Sequence, residues 1–173
     1  MSAITAAIIG ASGALFTAYV AQFQAERYRR FAEATSVAAG ILGELKSYSS
    51  AHPLLANIFT SIKGLVENGQ RDEIALRPFD KPVDRYFDAV IAKVGLLGPD
   101  LAERIIYIYS NLDAFRGSFA LICVEHLKMT DVELWSRIEL TEQCMQRAVT
   151  EMSNALPLLE TRVNQPFRFW SLA

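Results

Sequence analysis

Three groups of residues have types and spacing that could do chemistry. Asp80, Asp84 and Asp88 follow one another at turn spacing. On one helix they would form a row, and two such carboxylates could share acid–base work or hold a hard cation. Arg77, Lys81 and Arg85 stand beside them, so a solvated, ion-paired helix face explains the same pattern. Glu125 and His126 are adjacent, as an orienting carboxylate and a base would be, but neighbours in sequence do not face each other on a helix. His126 reads better as an end-of-helix residue near the C-terminal dipole. Tyr107 and Tyr109 with Arg104 could hold an anion, or could lie over a bundle core with their polar ends in water.

None of these groups has the form of a known reaction centre. The chain has no phosphate-cradling glycine motif, nucleophile elbow or zinc signature. His52 and His126 are the only histidines, and neither has a Cys or His companion at zinc-like spacing. Cys123 and Cys144 sit in apolar helical surroundings and could approach each other if their helices pair. Buried free thiols are the expected form. The sequence therefore assigns no catalytic, cofactor-binding or metal-ligating residue, and the expectation is a protein that is not an enzyme.

The net charge of −2 over 173 residues, with acids and bases interspersed, excludes the broad basic surface that nucleic acid requires. Sustained period-two alternation is absent and helical periods dominate, so the expected fold is all-α. Residues 1–25 carry no charge, and Arg27, Arg29 and Arg30 follow directly. About twenty mainly apolar residues span a bilayer as a helix. The reading is a transmembrane anchor at 1–25, a cytoplasmic helical bundle at 26–160 and an aromatic, basic tail at 161–173. A buried helix of a globular domain is the alternative for the first segment. By the positive-inside rule the arginines hold the C-terminal side in the cytoplasm. That places the chain in a bacterial inner (plasma) membrane as a single-pass protein, N-terminus out.

One face of the anchor carries small residues, including Ala6, Gly10, Ala14 and Ala18. Such a face lets membrane helices approach closely. The expected partners are membrane lipid and another membrane protein or a second copy seated on that face. No cofactor and no nucleic acid are expected.

The first helix should continue from the anchor to about Tyr48, a rod of roughly 70 Å, with Gly40 and Gly43 as bending points. Ser49, Ser50 and Pro53 predict a turn. A second helix carries Leu55, Ile58, Ile62 and Leu65 or Val66 and ends at Gly69. Residues 70–81 read as a loop, and the next helix starts near Asp80 or Pro82 and ends at Gly95 or Gly98. Pro99 suits a first helical turn, and a long helix covers 101–127. Thr130 and Glu133 form a capping box. Leu134, Ile138, Thr141, Met145, Ala148, Met152, Ala155 and Leu159 then alternate steps of four and three, a helix-packing seam, with Pro157 expected to kink or end it. These segments predict an antiparallel bundle around the end of the first helix. In the tail, Arg162, Phe167, Arg168, Phe169 and Trp170 combine cations with aromatics. They suit either a headgroup region or docking onto the bundle.

The segment FDAVIAKVGLLGPDLAERIIYIYSNL, with AAGILGELKSY upstream, resembles a recurrent pattern in small uncharacterised bacterial proteins. The matching residues are Gly40, Glu44, Phe87, Gly95, Leu97, Pro99, Ala102 and Tyr109, with an added glycine in GLLGPD as a departure. The resemblance implies an N-terminal transmembrane helix and a helical cytoplasmic domain, and no activity. Together these readings favour a membrane-anchored interaction or scaffold protein, an accessory subunit of a membrane complex. A membrane-tethered helical sensor is the alternative, and an enzyme acting near the membrane the least favoured.

Overall fold

The computed structural model describes residues 3–78 and 84–169, with side chains from Ala11 onward. The fold is all-α. One helix, α1 (Ala3–Glu67), runs for 65 residues, roughly 100 Å at ~1.5 Å per residue. A short α2 (Arg85–Val90) leads into a 3₁₀ segment, Ile91–Leu97. The long helices α3 (Pro99–Glu125) and α4 (Asp131–Asn164) follow.

The turn expected at Ser49–Pro53 does not form. Proline removes one backbone hydrogen bond and costs about 3 kcal/mol inside a helix. Burial on both sides outweighs that cost. Leu45, Tyr48, His52, Leu55, Phe59 and Ile62 recur in steps of three and four straight through Pro53, and Leu45, Phe59 and Ile62 are fully or almost fully buried. Pro157 likewise sits inside α4 without ending it, between the buried Ala155 and Leu159.

The core has two clusters, and their membership fixes helix direction. In the first, Val37, Ala38, Ile41 and Leu45 of α1 meet Leu101, Ile105, Ile108 and Tyr109 of α3 and Ala148, Met152, Ala155 and Leu159 of α4. In the second, Phe59 and Ile62 meet Phe115, Phe119 and Ile122, and then Leu134, Ile138 and Met145. Hence α3 and α4 are antiparallel, while α1 runs parallel to α3. The antiparallel order expected between neighbouring helices thus holds for α3–α4 and α1–α4 only. A parallel pair needs a long return, and residues 68–98 supply it. Part of that return packs inward, because Ile74 is buried in the second cluster.

Every residue of the α4 seam is buried. Its one polar member, Thr141, donates to the Arg137 carbonyl (2.6 Å) and lies 2.5 Å from the Ser118 hydroxyl of α3. With its donor used on the carbonyl, the Thr141 oxygen accepts from Ser118, so a fully buried hydroxyl costs little. The capping box is half formed: the Thr130 side chain accepts from the Glu133 amide (3.2 Å), while the Glu133 carboxylate turns to Arg137.

The membrane assignment is corrected. Among the described residues, no helix is long and apolar enough to cross a membrane. Before Glu26, Ser12, Gly13, Thr17, Tyr19, Gln22 and Gln24 dilute the apolar residues of α1. The single-pass topology, the inner-membrane location and the accessory-subunit and membrane-tethered sensor readings fall with it. So does the transmembrane architecture implied by the resemblance. The residues that carried the resemblance do meet in space: Gly40, Glu44, Phe87, Leu97, Ala102 and Tyr109 gather where α2 and the 3₁₀ segment lie on α1 and α3.

Candidate functional site

Asp84 is the one member of the aspartate row that the structure buries, and it is spent on a structural pair. Arg116 of α3 holds it with both guanidinium nitrogens, at 2.5 and 2.7 Å, and the Tyr48 hydroxyl donates to it as well. Asp88 is exposed and Asp80 lies outside the described residues. Among the described residues, no row of converging carboxylates results.

Beside this pair sits a second, half-buried carboxylate. Glu44 accepts from the Tyr109 hydroxyl (2.6 Å) and from the amides of Tyr86 and Phe87 (3.3 and 3.2 Å). It thereby caps the N-terminus of α2 from a neighbouring helix, satisfying donors that a short helix leaves open. Phe87 stacks on Tyr109, ring centroids 3.7 Å apart. Tyr86 lies across Gly40 so closely that a Cβ there would stand 1.9 Å from the ring, and its hydroxyl reaches the Ser36 carbonyl at 2.7 Å. Gly40 is therefore a seat for Tyr86, and α1 runs through it without a break.

Burial, and then the hydrogen bond to Glu44, push the Tyr109 phenol well above its ordinary value; burial and the bond to Asp84 do the same for Tyr48. For Arg116, burial works against the charge, but Asp84 outweighs it and the guanidinium is held more firmly protonated than usual. These groups lock α2 and the return segment onto the bundle. None is left poised to exchange a proton near neutrality.

The other sequence candidates separate in the same way. His126 is buried, and its Nδ1 faces the Ile122 carbonyl at 3.1 Å, at the end of α3. Glu125 pairs instead with Lys128. Arg104 pairs with Glu151 of α4, Tyr107 is exposed and Tyr109 turns inward, so they form no common anion site. Cys123 and Cys144 are free thiols, and burial raises the Cys123 pKa. Among the described residues, no group of three or more His, Cys, Asp or Glu could hold a metal ion. An apolar recess of about 230 Å³ opens between Tyr48, His52, Leu55, Leu112, Phe115 and Met145.

What the sequence reading kept apart, the structure joins. The basic flank of α1 and the basic tail meet. After α4 the chain turns back onto α1, where Phe167 packs against Tyr28 and Phe31, ring centroids 5.2 and 5.3 Å away. The Phe169 carbonyl accepts from Gln24 (3.3 Å) and Arg27 (3.4 Å). Of the two readings of the tail, docking onto the bundle side of α1 is the one observed. Trp170 lies outside the described residues. The junction encloses a cleft of about 490 Å³ into which Arg27, Arg30, Arg162 and Arg168 face.

Beyond this junction α1 continues as an arm with no bundle beneath it. Leu15, Phe16 and Tyr19 are 73%, 70% and 69% exposed, and Phe23 is 52% exposed. Contact with the bundle begins near Phe31 and Ala34, the first buried residue of α1 among those whose side chains are described. Of the small-residue face, Ala14 and Ala18 are exposed, and the side chains of Ala6 and Gly10 lie outside the described residues. With no membrane-spanning helix, that face supports neither a lipid partnership nor a pairing of membrane helices.

No family model matches the chain, and no curated protein and no solved structure is similar to it.

Proposed function

We propose that this chain is a protein–protein interaction module rather than an enzyme, and that its projecting arm pairs with the arm of a second copy. The exposed stripe of Leu15, Phe16, Tyr19 and Phe23 carries this reading. Large apolar side chains at successive helical turns, grouped on one free helix, mark an interaction surface rather than ordinary scatter. Asp84, Arg104, Tyr109 and Glu125 are engaged in structural pairs, which supports the same reading.

The choice of a second copy follows from charge. The stripe segment, residues 15–23, has no charged residue. At its base Glu26 is already held by Arg29 and Arg30, at 3.0 and 2.9 Å. An identical uncharged stripe leaves no ion unpaired, and a two-fold contact of one surface with itself is the commonest form of oligomer. Magnitudes allow it. Burying four such side chains from each copy, at about 1.5 kcal/mol apiece, contributes roughly 12 kcal/mol, against an association cost of about 4–15 kcal/mol. Pairing should therefore be reversible and depend on concentration.

Light scattering on the full chain across a hundredfold range of concentration tests this. The expected result is a monomer passing to a dimer, with the double substitution Phe16→Glu, Tyr19→Glu remaining monomeric at unchanged helicity. A parent chain that stays monomeric throughout would overturn the self-pairing.

A further inference from the structure

Between Leu45 and Phe59, each 0% exposed, no residue of α1 is fully buried. Tyr48, His52 and Leu55 line the recess in that stretch and are half-buried. The residues opposite come from both core clusters: Leu112 and Met152 from the first, Phe115 and Met145 from the second. The clusters do not close against each other along α1, and the recess of about 230 Å³ is the gap they leave. Interiors ordinarily have few voids larger than a water molecule. An apolar hollow of about 150 Å³ takes up benzene in place of water, so this one has room for one ring or two fused rings. Ala51 and Leu54 form its solvent side and are exposed, so a ligand can enter without the bundle opening.

The chemistry of the walls selects the ligand. Phe115 and the thioethers of Met145 and Met152 favour an aromatic body over an aliphatic chain. Methionine also adapts its shape to what it meets. Two of the polar groups on the wall are already spent. Arg116 gives both terminal nitrogens to Asp84, and one of them also reaches Asp113 at 3.3 Å. The Tyr48 hydroxyl donates to Asp84, and its ring lies 5.5 Å from the Arg116 guanidinium. One guanidinium against two carboxylates leaves no positive charge for an acidic ligand, whose carboxylate would be a third anion. Among the described residues, His52 is the polar side chain of the wall that has no hydrogen-bond or ion partner. An imidazole can donate from one ring nitrogen and accept at the other. The recess thus offers an apolar slot and one hydrogen-bonding group, the usual composition of a small-molecule site.

We propose that the recess between α1, α3 and α4 binds one small uncharged aromatic molecule carrying a single hydrogen-bonding group, the ring among Phe115, Met145 and Met152 and the polar atom at His52. This rests on the recess alone and is independent of the pairing of arms. Indole serves as the probe, because it has two fused rings and one N–H donor. Indene has the same outline without the donor, and indole-3-carboxylate adds the anion.

The test is calorimetric titration of the full chain with each of the three compounds. Saturable binding of one indole per chain is expected, with indene about fivefold weaker for want of the hydrogen bond. Indole-3-carboxylate should be weaker by about tenfold or more, because its charge is desolvated beside other carboxylates. In His52→Ala, indole and indene should bind alike. Val149→Phe places a ring in the recess and should abolish binding, and Ala51→Phe should do the same from the exposed rim. Thermal melts of each variant separate loss of the site from loss of the fold. The double substitution Phe16→Glu, Tyr19→Glu should leave indole binding unchanged, which keeps the recess apart from the arm. Absence of indole binding at millimolar concentration overturns the proposal. So does binding that persists in both filled variants when folded, or that is lost with the arm substitutions. Indole-3-carboxylate binding as tightly as indole overturns the uncharged class, and an indole–indene difference unchanged in His52→Ala overturns the role of His52.

Discussion

Tyr109 and Tyr48 make the protein sensitive to alkali. Each phenol stays protonated in the folded chain well past its ordinary value of 10.0, because burial and an adjacent carboxylate both oppose the phenolate. The unfolded chain releases these protons near pH 10 while the folded chain keeps them. Stability is thus intact below about pH 10 and falls as the pH rises above it. Urea midpoints measured from pH 8 to 11 should show the decline, and Tyr109→Phe should reduce its slope. An unchanged slope in that variant would assign the loss to other groups. The Arg116–Asp84 pair gives a second prediction at this scale. Arg116→Ala strands a buried carboxylate and should cost about 3 kcal/mol, while Lys128→Ala, at an exposed pair, should cost under ~1 kcal/mol. Denaturant unfolding of the two variants side by side decides it.

Among the elements, α1 shows what two glycines one turn apart do differently. Gly43 has open space where a Cβ would stand, whereas Gly40 is covered by the Tyr86 ring. Gly43→Ala should raise stability by about 1 kcal/mol through helix propensity. Gly40→Ala forfeits that gain by displacing Tyr86 from Ser36. Thermal melts in which both variants rise equally would remove Gly40 from its role as a seat. The α4 seam and the Thr130 cap were legible in the sequence because their signals are local: a period of 3.6 and a side chain three residues from its amide. The continuity of α1 through Pro53 was also present, in the unbroken steps from Leu45 to Ile62, but a local breaker hid a register that only burial enforces. The Asp84–Arg116 and Glu44–Tyr109 pairs left no comparable trace, being 32 and 65 residues apart. In the sequence the arginines of the cleft stand as two separate basic groups, one read as a topology signal and one as suiting either a headgroup region or docking onto the bundle. Only the return of α4 alongside α1 makes them one feature.

At the scale of the molecule, stability is uneven along a single helix. The bundle grips α1 from Ala34 to Ile62, and before it Leu15, Phe16 and Tyr19 stay largely exposed until the tail crosses between Gln24 and Phe31. Amide exchange in residues 11–22 should therefore be faster by orders of magnitude than in residues 37–62. Raising protein concentration should slow exchange in the arm alone, through pairing of Leu15, Phe16, Tyr19 and Phe23. Uniform protection along α1 in dilute protein would show that the arm is held by something within the chain. The absence of a break in α1 also has a mechanical meaning. The helix is a lever with Phe31 and Ala34 as its fulcrum, and its free limb extends about 45 Å. Each degree of tilt at the fulcrum carries the tip roughly 0.8 Å, taking that limb as rigid. The tail and its arginines lie against that pivot, where a displacement of a fraction of an ångström swings the far end through several.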